Sequence, residues 1–554
     1  MLSSLLCGPL SAGIPTLEHL YPMSVAPGAT NIVQAIGSIS PWPPKIWVEG
    51  AGVDIQPQTN AGMLRVVVAP NAIVGPRFVR VFNDEGASGP RFLAVAREPL
   101  TAEVEPNDEF KKPQQITALP GWVNGRLDKG GDVDSYSVSL QRGETLIAKV
   151  ESYVLASPVD AVLRVLDPSH VQVALNHDDG ETFDPFVAWT ARQDGEHVVQ
   201  VFGFVYPAGS DVRFTGGNSS VYRLWLSKGP YARHTVPLGV QKGREADLEC
   251  IGWNLPGPGP HRVHCPAQAG VGATGLAWFQ PPGIENLVRV CVGAGPELVE
   301  REPNNRVSDA GELPIPSSVT GSLSPANDED RFQLLAKPGD HLLLRVRSAS
   351  LGFNLDPWLK IEDKEGRELA RNDDSVGSDP ALDWTVSGTN VIYSVVGNLV
   401  HRSDPRQLYR LSVERAEPSL EMIAPAHSFT MKAGETNEVK VTLKRSHGFN
   451  AKVTVTTEGL PSGVSTAAVE VPEQGAEAKL SWIAPTGAVR FNGPIRIRAS
   501  PLGGASSVVA RFPLVSSGSD NGVPNGFGKL LIDSIDQLWL TITPAPAPPA
   551  APKK

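Results

Sequence analysis

The strongest constraint on how this chain folds is internal: one long stretch of it occurs twice. The first copy opens with Glu103-Val104-Glu105-Pro106-Asn107-Asp108, passes Gly125 and Asp132-Val133-Asp134-Ser135-Tyr136, and reaches Asn176-His177-Asp178-Asp179. The second carries Glu300-Arg301-Glu302-Pro303-Asn304-Asn305, Gly321, Asp328-Glu329-Asp330-Arg331-Phe332 and Asn372-Asp373-Asp374-Ser375, offset by 196 or 197 residues. In that register Tyr136, Val138 and Leu140 fall on Phe332, Leu334 and Ala336, and Leu146, Ala148 and Val150 fall on Leu342, Leu344 and Val346. Both sets alternate with period two, the pattern of a strand with one buried face. Gly143 and Gly339 take the intervening turn, Asp160 and Asp356 open the next strand, and Trp189 and Trp384 stand at inward positions near the end.

A chain of 554 residues exceeds one core, so several domains of about 100 to 150 residues are expected. With 54 Gly and 50 Pro and no long helical periodicity, turns and short strands dominate. The fold class is all-β, a multidomain chain of antiparallel β-sandwiches. A net charge of −10 with no run of Lys or Arg makes nucleic acid and anionic membrane poor partners. No apolar stretch is long enough to be a transmembrane segment. Residues 1–13 resemble the tail of a secretory signal, an apolar run ending in Ser11, Ala12 and Gly13, without a basic leader. Export is therefore expected, with a start upstream of Met1; Leu6 before Cys7 fits a lipoprotein signal poorly.

The repeat sets the boundaries. The two long modules cover 99–228 and 298–415. Before each lies a shorter segment, 14–98 and 229–297, and these match in the glycine spacing of Gly28 to Gly37 and Gly243 to Gly252 and in Val79-Arg-Val81 against Val288-Arg-Val290. A different β-domain occupies 416–543, with Val439 to Leu443, Val453 to Val455 and Ile495 to Ala499 as strands and Leu538 to Ile542 as a returning one. Residues 544–554 form a Pro/Ala-rich tail.

Three of the four cysteines, Cys250, Cys265 and Cys291, fall close together, which permits one bridge and one spare thiol or three buried thiols. Cys250 shares a face with Leu248, whereas Cys291 faces opposite to Val288 and Val290. His261, His264 and Cys265 could join Cys250 as a zinc set, at spacings unlike the usual ones. No His-Glu-x-x-His, Gly-x-Ser-x-Gly or phosphate-loop pattern occurs.

The order Glu-x-Glu-Pro-Asn-Asp/Asn, Gly, Asp-x-Asp-x-aromatic, then Asn-x-Asp-Asp resembles the bacterial pre-peptidase C-terminal domain (PPC), a jelly-roll-like β-sandwich appended to secreted peptidases and similar to the collagen-binding domains of clostridial collagenases. The resemblance spans both long modules. The segments beginning at Gly28 and Gly243 more weakly resemble IPT/TIG immunoglobulin-like domains, and 416–543 an Ig-like or fibronectin-like sandwich. The PPC resemblance implies a calcium ion held by Glu103, Glu105, Asn107, Asp108, Asp132 and Asp134, and a second by Glu300, Glu302, Asn304, Asn305, Asp328 and Asp330. Six to eight oxygens at flexible geometry suit that ion. Asn305 in place of Asp108 removes a charge and implies a weaker second site. The competing reading makes these residues turn formers, and the Asn-x-Asp-Asp segments at 176 and 372 read as hairpin turns.

One long loop carries Phe204, Tyr206 and Phe214, a candidate binding surface or a set of tucked-in core rings. The function expected is that of a secreted, non-catalytic binding or structural protein with calcium-stabilised modules and an extracellular protein or polysaccharide as partner. An accessory region of a secreted peptidase or other hydrolase, or a cell-envelope assembly protein, are the alternatives.

Overall fold

Period-two alternation becomes paired strands throughout the molecule, with no α-helix among the described residues. The structure, a computed structural model, describes all residues except 1–12, 180–181, 206–212, 258, 268–274, 376–378, 389–390, 401–406, 503–506, 516–530 and 546–554. Cys7 with most of the signal-like segment, Tyr206 and most of the Pro/Ala-rich tail lie outside the described residues.

Each long module is two five-stranded sheets closed over one core. In the first, one sheet runs Gln114–Gln115, Asp134–Leu140, Gly195–Gly203, Ala161–Leu166, Gln172–Asn176. The other runs Phe186–Thr190, Thr145–Glu151, Val221–Ser227, Gly121–Arg126, Leu100–Ala102. The second module has the same strand order in both sheets, from Gly311–Leu313 to Glu368–Asn372 and from Ala381–Thr385 to Glu297–Val299. Even the irregularities repeat: the ladder slips at Val165/Leu166 and again at Ile361/Glu362. Short 3-10 turns stand at Tyr153–Leu155 and Ala349–Leu351. The first is held by Asp184, which accepts from the amides of Ser152, Tyr153 and Val154, and the second by Asp379, which accepts from Ser348, Ala349 and Ser350.

The cores follow from the alternation. Tyr136, Val138, Leu146, Ala148, Val150, Tyr222 and Leu224 meet inside the first module, and Phe332, Leu334, Leu342, Leu344, Val346, Tyr409 and Leu411 inside the second. Trp189 and Trp384 pack against these cores while partly exposed. The Asn-x-Asp-Asp segments do not close hairpins. Gln172–Asn176 and Phe186–Thr190 belong to opposite sheets, so the segment between them crosses the sandwich, and 372–381 does the same. Each of these strands is the edge of its own sheet and pairs with a different neighbour, Ala161–Leu166 or Thr145–Glu151 in the first module, which a local turn pattern cannot reveal.

Segment 14–98 is two four-stranded sheets, whereas 229–297 is two three-stranded ones. Among the described residues the short sandwich shows no counterparts of Lys45–Val48 and Val53–Pro57, one strand per sheet. Here the Val-Arg-Val match misleads. Val288–Gly293 lies parallel to Gly239–Gln241 as Arg91–Val95 lies parallel to Ser24–Val25, so its counterpart is Arg91–Val95 rather than Gly75–Phe82. Three residues of alternation fit any half-buried strand and carry no topology. Cys250, Cys265 and Cys291 are buried thiols in no disulfide.

The C-terminal sandwich packs back on the N-terminal one. Arg80, 1% exposed, stacks over Trp539 at 5.8 Å, Asn492 donates to the carbonyl of Asn83 at 2.8 Å, and Trp47 meets Trp539 at 6.0 Å. On its other side it meets the second module, where His447 Nε2 lies 3.2 Å from Asp383 Oδ2. A shared apolar cluster of Met23, Phe78, Phe92, Leu155, Val221 and Ile535 joins the first sandwich, the first module and the last sandwich.

Two buried arginines occupy equivalent positions with different partners. Arg223 pairs with Glu151 on the neighbouring strand, and Arg410 with Glu297 on the module's first strand. Burial alone would raise the Glu151 carboxyl, but Arg223 and Lys149 outweigh it and hold it at about 2. A carboxyl held below its unfolded pKa of about 4.3 stabilises the fold above that value and loses the contribution as pH falls towards 2. Both members of the Arg410–Glu297 pair are 5% exposed. Arg410→Met strands a buried carboxylate and is expected to cost about 3–5 kcal/mol, read as a lower urea midpoint; the double change Arg410→Met/Glu297→Leu is expected to recover most of it.

Candidate metal centres

The acidic linkers lie where they do because of two parallel pairings. Leu100–Ala102 runs parallel to Gly121–Arg126 at the edge of one sheet, and Gln114–Gln115 parallel to Asp134–Leu140 at the edge of the other. The linker between them must cross the open end of the sandwich. Glu103, Glu105, Asn107 and Asp108 ride on this crossing, directly over Asp132 and Asp134 at the head of their strand. The second module repeats the arrangement with Glu297–Val299 and Gly311–Leu313 as the flanking parallel strands.

Oxygens converge in both places. In the first module ligand atoms of Glu103, Glu105 and Asp134 lie within 4.8 Å of one another, and so do those of Glu105, Asp108 and Asp132. Glu105 belongs to both sets. In the second module Glu300, Glu302 and Asp330 converge in the same way. Asn107, Asp132 and Asp134 are at most 1% exposed, as are Asn304 and Asp330. Buried carboxylates normally sit beside a guanidinium or a metal; the cation beside the first cluster is Lys129, on the surface, 2.8 Å from Asp108.

The protein's own donors satisfy part of each set. Tyr136 donates to Glu103 Oε1 at 2.7 Å, Tyr222 to Asp134 Oδ2 at 2.5 Å, and the Arg126 amide to Glu103 Oε2 at 2.8 Å. The Asp128 amide serves Asp132 Oδ2 at 2.5 Å, and the Asn107 amide serves Glu105 at 3.0 Å. Four oxygens remain buried with no donor: Asn107 Oδ1, Asp108 Oδ1, Asp132 Oδ1 and Asp134 Oδ1. In the second cluster Tyr409 donates to Asp330 Oδ2 at 2.6 Å, the Ser322 amide to Glu300 at 2.6 Å and the Ser324 amide to Asp328 at 2.9 Å. Asn304 Oδ1 and Asp330 Oδ1 stay without a donor. Leaving one such atom bare costs about 1–3 kcal/mol, so a group of them facing inward suits a cation.

The donor set is oxygen only, carboxylate and amide, without sulfur or imidazole, which fits a hard ion such as calcium rather than zinc or copper. The clusters are unequal. Asn305 turns its amide nitrogen to Asp328 Oδ1 at 2.5 Å, so it acts as a donor to that carboxylate. Glu300, Glu302 and Asp330 are the carboxylates that converge there, while Asp328 accepts from Asn305 and from the Ser324 amide.

Gly125 and Gly321 belong to this architecture. A Cβ at either would overlap the Tyr222 or Tyr409 ring, so the glycine admits the phenol that reaches the acids. Both tyrosines escaped the motif reading. Their signal was the Tyr-Arg-Leu triplet at 222–224 and 409–411, retained at one position of the repeat.

Electrostatics separates these carboxyls from ordinary ones. Burial, then the neighbouring Glu103 charge, pushes Asp134 far up, and burial with Glu300 does the same to Asp330. Burial likewise raises Asp132, Glu103 and Glu300.

The other expected site residues are placed differently. Phe204 and Phe214 are half-buried and pack on each other and on Phe202, at centroid distances of 6.0, 5.9 and 4.8 Å, so they form a tucked-in cluster rather than an exposed platform. Strand alternation splits the possible zinc set: Cys250 and Cys265 enter the core while His264 faces outward to Asp247 at 3.2 Å. Burial pushes the Cys250 thiol up to about 11. A further group, Asp160, His177 and Asp178, also converges. His177 Nε2 lies 2.9 Å from Asp160, whose hydrogen bond raises the imidazole, so this group reads as an ion pair.

No family model matches the chain, and no curated protein matches it. Among solved structures it is similar to the fibronectin(III)-like modules of CbhA from Clostridium thermocellum, 12% identical over 38% of this chain and 90% of that one, with a TM-score of 0.12. The N-terminal four Ig domains of Dscam1 isoform 4.4 are 12% identical over 91% and 99%, with a TM-score of 0.16. Domains 1–6 of the surface layer protein SbsC are 9% identical over 91% and 56%, with a TM-score of 0.14. Superpositions this loose assign no function.

A folded carboxyl whose pKa is raised keeps a proton that the unfolded chain gives up above about 3.9, so the metal-free protein loses stability as pH rises through that value towards neutrality. In chelator the first module is expected to melt lower at pH 8 than at pH 5. Asp134→Asn is expected to flatten that dependence, as read by thermal melts of both proteins at the two pH values.

Proposed function

We propose that this chain is an exported, non-catalytic, multidomain β-protein whose two acidic clusters each take a calcium ion, and that it serves in binding an extracellular protein or polysaccharide or in building surface structure. The observation that carries the metal reading is the set of buried acid and amide oxygens without donors at the mouth of each long module. Calcium supplies the positive charge that such a set lacks. In the first cluster Glu103, Glu105, Asp108, Asp132 and Asp134 would hold it with Asn107; in the second Glu300, Glu302 and Asp330 would do so with Asn304. The resemblance of both modules to the PPC domain supports the same reading.

The role of the ion follows from what the linkers connect. Asn124, on the strand paired with Leu100–Ala102, accepts from the amide and hydroxyl of Ser24 in the preceding sandwich at 3.0 and 2.7 Å. Arg126, whose amide serves Glu103, stacks over Tyr21 at 4.7 Å. In the second module Thr320 takes the place of Asn124 and accepts the Leu238 amide at 2.8 Å. Ordering each linker therefore also fixes the strand on which the preceding sandwich is seated.

Titration of chelator-stripped protein with calcium, followed by calorimetry, is expected to give two classes of site, the first cluster the tighter. Binding should release protons, because the ligands must ionise. Calcium at about 100 times its dissociation constant is expected to add about 2.7 kcal/mol of stability. Asp134→Asn and Asp330→Asn should each remove one class. No heat and no rise in melting temperature would defeat the metal reading. Cell fractionation, and co-sedimentation with insoluble polysaccharide, test the rest.

A further inference from the structure

Two histidine contacts of different make-up lie where the C-terminal sandwich meets its neighbours. On one side Arg80 is buried without a carboxylate partner among the described residues. Its Nη1 donates to the Ser88 carbonyl at 2.9 Å and to Ser428 Oγ at 3.1 Å, and lies 3.3 Å from His427 Nδ1; Nη2 donates to the His427 carbonyl at 3.4 Å. An arginine has no lone pair to offer, so His427 Nδ1 must be the acceptor and the imidazole must be neutral. Ser428 Oγ, 2.9 Å from the same nitrogen, accepts from Arg80 and can donate its own proton there. One nitrogen lone pair thus lies at the centre of this polar contact, beside the Trp47–Trp539 and Asn492–Asn83 contacts and the Arg490–Asp84 ion pair between the same two sandwiches.

On the other side two imidazoles flank one carboxylate. His341 Nε2 is hydrogen-bonded to Asp383 Oδ1, and His447 Nε2 lies 3.2 Å from Asp383 Oδ2. Burial would raise the Asp383 carboxyl, but the hydrogen bonds and charges of His341 and His447 together outweigh it and hold the carboxyl below the usual range. His447 adopts a left-handed backbone, φ 54°, a region uncommon outside glycine in which histidine is one of the better tolerated residues. Protonating either ring strengthens its attraction to the carboxylate between them.

We propose that the Arg80–His427 contact is an acid-sensitive latch: protonation of His427 releases the C-terminal sandwich from the N-terminal one, while His341, Asp383 and His447 keep it tied to the second module. Protonation at Nδ1 removes the acceptor of both hydrogen bonds and sets a cation against the Arg80 guanidinium. The charged groups acting on His427 among the described residues are Arg80, from Gly75–Phe82, and Arg91, from Arg91–Val95; the Phe512 ring covers it at 5.3 Å. Burial, then Arg80, lowers its pKa to about 4.

The sign follows from which state takes the proton. The open state binds it more readily, so closure is strongest above the ordinary imidazole value of about 6.5 and weakens as pH falls towards 4. A shift of that size weights closure on the order of a hundredfold.

Small-angle scattering from the full chain between pH 7 and pH 4, with far-UV circular dichroism on the same samples, tests the latch. The expected result is a reversible rise in radius of gyration with the β-sheet signal retained. His427→Asn keeps an acceptor near the Nδ1 position but cannot be protonated, so it is expected to stay compact over that range. The acidic clusters are intact in this variant, which separates latch opening from their protonation. The proposal is overturned by an unchanged radius at pH 4, by expansion that coincides with loss of the sheet signal, or by equal expansion in His427→Asn.

Discussion

The crossing of the open end of a sandwich by its own acidic linker is the constraint on which the rest of each long module depends. Strands on opposite sheets, Leu100–Ala102 and Gln114–Gln115, are joined by one short segment, and that segment must pass over the buried heads of Asp132 and Asp134. Tyr222 rises through the core to meet Asp134, and Gly125 is bare so that it can. Carboxylates are thereby removed from water at the place where two sheets and the preceding sandwich meet. Uncompensated, that arrangement is costly; with the proposed cation it would become a tie between all three.

The two copies keep this topology and vary its polar chemistry. Lys129 stands where the second copy has Pro325, Tyr136 where it has Phe332, and Asp108 where it has Asn305. The first cluster therefore has more oxygens, one more phenol and a nearby ammonium. Arg223 and Arg410 show the same freedom: the guanidinium stays, and its acid moves from the adjacent strand on one side to the strand one beyond the adjacent one on the other. The sheet offers more than one strand from which the acid for these two guanidiniums can come.

Much of this was legible before any coordinates. Period-two alternation in register across 196 residues gave the strands and inward faces of both modules, because burial on one face leaves a repeating mark. The acid clusters were visible for the same reason. What escaped were residues whose partners are distant in sequence. Tyr222 lies far along the chain from Glu103, Asp184 stabilises a turn some thirty residues earlier, and Arg80 meets His427 across the whole molecule. The Val-Arg-Val correspondence failed because so short an alternation is compatible with any strand of a sandwich.

By itself, the sequence determined that this is a chain of β-sandwiches, that one module is doubled, and that oxygen-rich clusters begin each copy. Those properties are written in local periodicity and spacing. Only the tertiary structure decided that the clusters cap the mouths of the sandwiches, that the Asn305 amide nitrogen is turned to Asp328, and that the last sandwich returns to the first. These depend on which strands pair and which faces meet, and pairing energies between distant segments leave no periodic trace along the chain.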